Sequence, residues 1–342
     1  MPRRPIVLHL IDDTTAGGVM RVLDHITTSP EMAKTADHRL VPVTRGRIDL
    51  TRYHCDVIVS HLAISWRSLP MFAALKVVNR HARLVHVEHS YTDAFVRNAV
   101  PNTGRFHTLL RTAFRLFDTV IAVSHGQASW MRRESLCHAG KLTVIRSCVE
   151  LSAFECVAPA RRNVRTIGAI GRLDRQKGFD TLIAAFRQVR DTTLALHIHG
   201  TGDEMDRLKA LAKGDTRIRF MGHTPDPLAA HADIDLLIVP SAWEAYGLVA
   251  IEALCAGRPV LCADVDGLRD HAEYGAQIMQ DTSPDALAHQ IEGLVSGAGL
   301  SPQDGIARRA EAAFVNGWED LLTAPERDRS TSSAPLAGRG IA

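Results

Sequence analysis

Two glycines and three cations follow a short apolar run, where Thr166-Ile167-Gly168-Ala169-Ile170 leads into Gly171-Arg172-Leu173-Asp174-Arg175-Gln176-Lys177-Gly178. Open parallel sheets bind ligands at the carboxyl ends of their strands. There the glycines allow close approach, and Arg172 and Lys177 can neutralise a diphosphate. The plain alternative is a strand-to-helix turn with exposed cations, and Asp180 stands where an N-cap would precede a helix over Thr181 to Val189. A second constellation follows the apolar run Leu236 to Val239: Pro240-Ser241-Ala242-Trp243-Glu244-Ala245-Tyr246-Gly247-Leu248-Val249-Ala250-Ile251-Glu252. Gly247 opens a helix that Gly257 and Pro259 end. Glu244 then lies in the loop and Glu252 more than a turn inside the helix, so the two carboxylates address different parts of one ligand. The amides near Tyr246, Gly247, Leu248 and Val249 offer an anion a helix N-terminus. Ile251, Ala253, Leu254 and Ala256 surround Glu252, and a buried carboxylate needs donors such as ribose hydroxyls. Without a ligand, Glu244 would be a capping or solvated loop carboxylate and Glu252 an exposed helix residue.

The elements that would position these residues are legible as a rhythm. Ile6 to Ile11, Val57 to Val59, Leu84 to Val87 and Val120 to Val123 read as strands alternating with helical patterns, which argues for a parallel sheet covered by helices. The rhythm restarts at Thr166 to Ile170 and continues through Leu194 to Ile198, Arg217 to Met221, Leu236 to Val239 and Pro259 to Cys262. Cys148 to Arg165 has neither period and reads as the linker. The expected organisation is one α/β domain over residues 1–150, a second over 151–303, a helix over 304–323, and a disordered tail over 324–342.

The chain has 342 residues, 46% hydrophobic and 23% charged, which suits an ordinary globular protein with two cores. Its apolar runs fall far short of the roughly 20 residues that span a bilayer. Asp12 and Asp13 interrupt the first run before a signal-peptide core could form. Six cysteines show no CxxC pair, so reduced thiols in a cytoplasm are expected. Residues 1–150 carry 20 Lys+Arg against 12 Asp+Glu, whereas residues 151–342 carry 20 against 26. A basic first half suggests an anionic partner or a membrane surface, or simply a solvated face. From His107 to Phe117, an apolar side of Leu109, Leu110, Ala113, Phe114 and Phe117 reads first as core and second as a face toward anionic lipid.

Glu244 and Glu252, with seven residues between them, resemble the paired-glutamate motif of the family 4 retaining glycosyltransferases, and Gly171-Arg172-Leu173 through Lys177-Gly178 is similar to their diphosphate loop. Phe220-Met221-Gly222, Ala232-Asp233, Pro240-Ser241 and Ala256-Gly257-Arg258-Pro259-Val260 match the same family, so the resemblance covers most of the second half. In the first half, Gly17-Gly18 resembles the family's N-terminal glycine pair, His89 its active-site histidine, and Ser124 its strand-end serine. Ser147-Cys148 departs from the Asn-Gly common there, which puts any glycine-specific backbone geometry in doubt.

The resemblance implies a GT-B fold, two Rossmann-like domains facing across a cleft. The second would hold a nucleoside-diphosphate sugar, and the first a saccharide or lipid-linked acceptor. It implies that Arg172 and Lys177 grip the diphosphate as the sugar bond breaks, that Glu252 meets the ribose, that Glu244 and His89 meet the donor sugar, and that Gly17, Gly18, Gly222 and the amides of Tyr246, Gly247 and Leu248 line the donor site. It further implies retained anomeric configuration in surface polysaccharide, lipopolysaccharide or glycolipid synthesis. The protein would be cytoplasmic or peripheral at the inner face of an anionic membrane, with no nucleic-acid partner. No cofactor and no metal are expected. Asp233-Ile234-Asp235 and Asp264-Val265-Asp266 are not placed as a metal motif would be, and His197 and His199 flank Ile198 with no third ligand evident in sequence. The competing readings are a nucleotide-sugar epimerase or hydrolase of the same architecture, and a binding protein without turnover.

Overall fold

A computed structural model describes residues 3–161, 163–279, 281–295 and 303–324. The tail expected beyond Ala324 lies outside them. The first sheet comprises β1 (Ile6–Ile11), β2 (Asp37–Pro42), β3 (Val57–Ser60), β4 (Arg83–Glu88), β5 (Thr119–Ala122) and β6 (Leu142–Val144), in the order β2-β1-β3-β4-β5-β6. The second comprises β7 (Thr166–Ile170), β8 (Ala195–His199), β9 (Ile218–Gly222), β10 (Leu236–Val239), β11 (Val260–Cys262) and β12 (Gln277–Ile278), in the order β12-β11-β10-β7-β8-β9. Every pairing is parallel. Strands buried on both faces read as continuous apolar runs, which is why β1, β7 and β10 fall where the sequence suggests. β2, β6 and β12 do not stand out in sequence. They lie at sheet edges, and β2 carries charged, half-exposed residues while β6 and β12 have three and two residues.

Each strand order reverses once, between β1 and β3 in the first sheet and between β7 and β10 in the second. Loops leaving the carboxyl ends there diverge and open a crevice. The segment read as the linker is packed: Cys148, Val149, Leu151, Phe154 and Val164 are buried in the core. Among the described non-glycine residues only Ser135 and Asp266 have positive φ, so Ser147-Cys148 needs no glycine geometry. The last helix, Ile306–Thr323, returns to the first sheet, where Gly317 packs against Ile145 and the Arg83 guanidinium donates to the Leu321 carbonyl. In the helix Thr103–Leu116, Leu109, Leu110, Ala113 and Phe114 are core residues, and Arg111 donates to the carbonyls of Glu134 and Ser135. Its apolar side is therefore filled from within.

Asp233 and Asp235 both precede β10. Asp235 is buried and its carboxylate accepts N–H bonds from Arg165 and Thr166 at 2.9 Å and from Arg161 at 3.3 Å, tying the end of the linker to the start of two strands. Removing the acceptor strands these amides away from water. Asp235→Ala is expected to cost about 3 kcal/mol, read as a lowered urea midpoint with secondary structure retained.

Candidate active site

The loop leaving β7 is closed by backbone that a side chain would obstruct. Gly178 has φ +65°, and a Cβ there would lie 2.2 Å from the Pro240 carbonyl oxygen of the loop leaving β10. Asp174, not Asp180, performs the local capping, accepting from the Lys177 amide at 3.3 Å. The following helix runs Phe179–Phe186 with Asp180 in its first turn. Lys177 folds back beside Gly171, where a Cβ would approach its side chain to 3.4 Å. Its Nζ lies 2.5 Å from Glu244 Oε2, with both side chains largely buried. The two loops of the second crevice are thus joined by one ion pair. Arg172 is 75% exposed and only 3.2 Å from Asp174, free to turn toward a ligand.

Beyond Glu244 the chain turns at Gly247, with φ +90°, into the helix Leu248–Cys255. No side chain caps this helix, so its first amides are available to an anion. Tyr246 does not enter the crevice. Its ring is buried 4.7 Å from that of His271, which donates through Nε2 to the Tyr246 carbonyl at 2.8 Å. The side chain lines a cavity of about 150 Å³ with Arg146, Tyr274 and Phe314. Only the Tyr246 backbone stays with the loop that carries Glu244. Gly222 has φ +76° and open space around it, and its carbonyl accepts from the Gly200 amide at 2.7 Å. Its sign of φ, rather than a crowded neighbour, accounts for the glycine.

Glu252 is 3% exposed, as its apolar neighbours imply, but its partners are protein groups. Oε1 accepts from Arg21 at 2.6 Å and Oε2 lies 3.4 Å from His231 Nε2. Arg21 belongs to the helix Gly18–Thr28 after β1, so this pair crosses between the halves. Nothing in sequence pairs residues 231 positions apart; Arg21 shows only as one cation on an amphipathic helix. A Cβ on Gly18 would lie 3.4 Å from Leu248 Cδ1, on the same crossing. Gly17 precedes the helix in extended backbone, φ −179°, open to any residue.

The halves are joined again at Asp266. Its carboxylate accepts from Thr92 Oγ1 at 2.7 Å, the Ala94 amide at 3.0 Å and the Glu244 amide at 3.3 Å, while burial raises its pKa above the usual carboxylate value. Asp270 accepts from the amides of His125 and Gly126 at 2.7 and 3.2 Å, at the start of the helix His125–Arg133, where Ser124 caps Gln127. A Cβ on Gly126 would lie 2.0 Å from the Asp266 carbonyl oxygen. Asp264 turns elsewhere, to Arg269 at 2.5 Å. His89 leaves β4 three residues before Thr92, bonded to His61 at 2.8 Å, and burial pushes its pKa down to about 4. It is a neutral imidazole at physiological pH.

His197 and His199 do have a third neighbour. Asp233 Oδ2 lies 2.6 Å from His197 Nδ1 and 3.0 Å from His199 Nε2, a meeting of β8 with a helix end that sequence spacing does not show. These contacts form a hydrogen-bonded group; the same three atoms could also ligate a cation.

A family model described as Glycosyltransferase Family 4 matches residues 7–153, and one described as Glycosyl transferases group 1 matches residues 164–297. Glycogen synthase of Mycobacterium tuberculosis is 30% identical over 236 residues, 58% of this chain and 55% of that protein. Granule-bound starch synthase 1 of Ipomoea batatas is 32% identical over 122 residues, 34% of this chain and 20% of that protein. The chain thus spans about half or less of the length of these curated relatives. Among solved structures, Anabaena Alr3699/HepE in complex with UDP-glucose superposes with a TM-score of 0.70 at 18% identity, covering 93% of this chain and 98% of that one. Sucrose-phosphate synthase from Thermosynechococcus elongatus gives 0.71 at 20% identity, covering 93% and 96%. The chain has the GT-B fold and belongs to the family 4, or group 1, glycosyltransferases.

Proposed function

We propose that this protein moves a sugar from a nucleoside-diphosphate sugar to a hydroxyl acceptor with retention of anomeric configuration. The observation that carries the reading is the Lys177–Glu244 pair at the reversal point of the second sheet, beside an uncapped helix start. A diphosphate arriving there competes with Glu244 for Lys177, and Arg172 is free to join. The displaced Glu244 carboxylate then accepts hydrogen bonds from donor-sugar hydroxyls. As the bond to the leaving phosphate breaks, negative charge grows beside Lys177 and Arg172. Stabilisation that grows in this way accelerates the step. The acceptor attacks from the face that the phosphate leaves, and the phosphate takes its proton. Glu252 reaches the ribose once Arg21 yields one carboxylate oxygen.

Residues 1–150 supply the acceptor side in this proposal, residues 151–303 the donor side, and residues 304–323 a brace between them. The excess of cations in the first half supports an anionic acceptor or an anionic membrane carrying a lipid-linked one. No helix among the described residues is long and apolar enough to cross a membrane. Work at the inner face of a membrane, in polysaccharide, lipopolysaccharide or glycolipid synthesis, fits this reading.

Lys177→Met and Glu244→Gln are each expected to lower transfer by roughly 100-fold or more while thermal unfolding stays cooperative. Wild-type rates in both folded variants would remove these roles. A screen of UDP, GDP and ADP sugars should raise the melting temperature with the true donor, by the equivalent of about 2.7 kcal/mol at a hundredfold excess over Kd. Incubating that donor with and without saccharide acceptors, in EDTA, should give acceptor-dependent transfer that the chelator leaves unchanged. Acceptor-free conversion would instead mark an epimerase or hydrolase, and binding without product a non-catalytic protein.

A further inference from the structure

Four histidines form an unbroken hydrogen-bonded row through the first half. His89 Nε2 lies 2.8 Å from His61 Nδ1, His61 Nε2 3.0 Å from His9 Nδ1, and His9 Nε2 3.0 Å from His38 Nδ1. The row ends at Thr35, whose Oγ1 is 3.1 Å from His38 Nε2. The sheet register explains its straightness. His38 pairs with Val7, His9 pairs with Val59, and Ser60 pairs with His86, so each histidine stands two residues nearer the carboxyl edge than its neighbour on the preceding strand. A step of two keeps all four on one face. Trp318 of the last helix covers the inner end, its ring centroid 5.5 Å from that of His9 and 5.8 Å from that of His38.

The direction of the row is determined at Thr35. The Thr35 hydroxyl has one proton, and the Met32 carbonyl, 2.9 Å away, can only accept it. Thr35 Oγ1 must then accept from His38 Nε2, so His38 carries its proton on Nε2 and accepts at Nδ1. The same assignment propagates through His9 and His61 to His89, because a neutral imidazole donates at one nitrogen and accepts at the other. Burial keeps the members neutral: His38 and His89 fall to about 4 although Asp37 and Glu88 oppose the shift at either end, and His9 and His61 are pushed well below the ordinary histidine value, the latter also by neighbouring His89, His9 and His86. His89, half-buried just past the carboxyl end of β4, makes its hydrogen bond through Nε2, which leaves Nδ1 as the acceptor of the ring.

We propose that Thr35, His38, His9 and His61 are positioning residues that fix His89 as a hydrogen-bond acceptor in the cleft, selecting a donor sugar that presents a hydroxyl there over one presenting a carboxylate. A carboxylate oxygen would face a lone pair and be repelled, whereas a hydroxyl donates to it. The inference rests on the transfer reading for its ligand but not for its proton arrangement.

Long-range proton–nitrogen NMR on the histidine-labelled, ligand-free protein at pH 7 tests the arrangement directly. All four rings should be protonated at Nε2, and Thr35→Val should bring a second tautomer into His89. His61→Leu should raise the donor KM roughly tenfold with kcat little changed, and His61→Gln, whose amide also accepts and donates, should restore most of it. Protonation of His89 at Nδ1 in the wild type overturns the proposal. So do equal losses in the folded Leu and Gln variants. If no sugar nucleotide binds the wild type, the transfer reading fails, and the spectrum still decides the row.

Discussion

A lysine and a glutamate in near contact at the bottom of a crevice impose a constraint that much of the second half serves. The pair exists because the strand order reverses between β7 and β10, which sends two loops apart and then back toward each other. Gly171 leaves room for the lysine stem, and Gly178 lets its loop lie against the Pro240 carbonyl. Gly247 then turns the chain so that a helix begins beside the glutamate with its amides uncapped. A side chain at Gly178 or Gly247 would collide with the Pro240 carbonyl or with Leu268 and displace the loops that hold the pair.

The first half is organised around the matching reversal between β1 and β3, and the crossing contacts bring the two crevices face to face. Gly18 against Leu248 and Arg21 with Glu252 join the helix Leu248–Cys255 to the helix after β1. Asp266 reaches both the loop after β4 and the Glu244 amide. The carboxylate that anchors His89's loop therefore also anchors Glu244's, so movement of one half relative to the other is felt at both residues.

Much of this was legible in sequence where chemistry is local. The loop from Gly171 to Gly178 and the run from Pro240 to Gly257 each follow a buried strand, and a continuous apolar run ended by glycine or proline is visible without a structure. The burial of Glu252 was legible for the same reason. What was not legible depends on contacts distant along the chain. Arg21 has no periodic relation to Glu252. The third member beside His197 and His199 comes from another element. Asp266 looked like half of an acidic pair, although Asp264 points away from it. The edge strands β2, β6 and β12 escaped because half-exposed or very short segments have no continuous apolar signature. Tyr246 sits in the right loop, but only packing decides that its ring turns inward.

The capping of the first half by the second bears on how such proteins diversify. The helix His125–Arg133 has its first amides satisfied by Asp270, and Ala94 and Thr92 are held by Asp266, so helix starts in one half depend on carboxylates in the other. A gene that recombined near residue 150 to acquire a new second half would still have to bring carboxylates at these two positions, while the first half kept Gly126, where a Cβ would lie 2.0 Å from the Asp266 carbonyl oxygen. The two halves can therefore be exchanged only among partners that share this seam, and the seam, rather than either crevice, sets the limit on modular exchange.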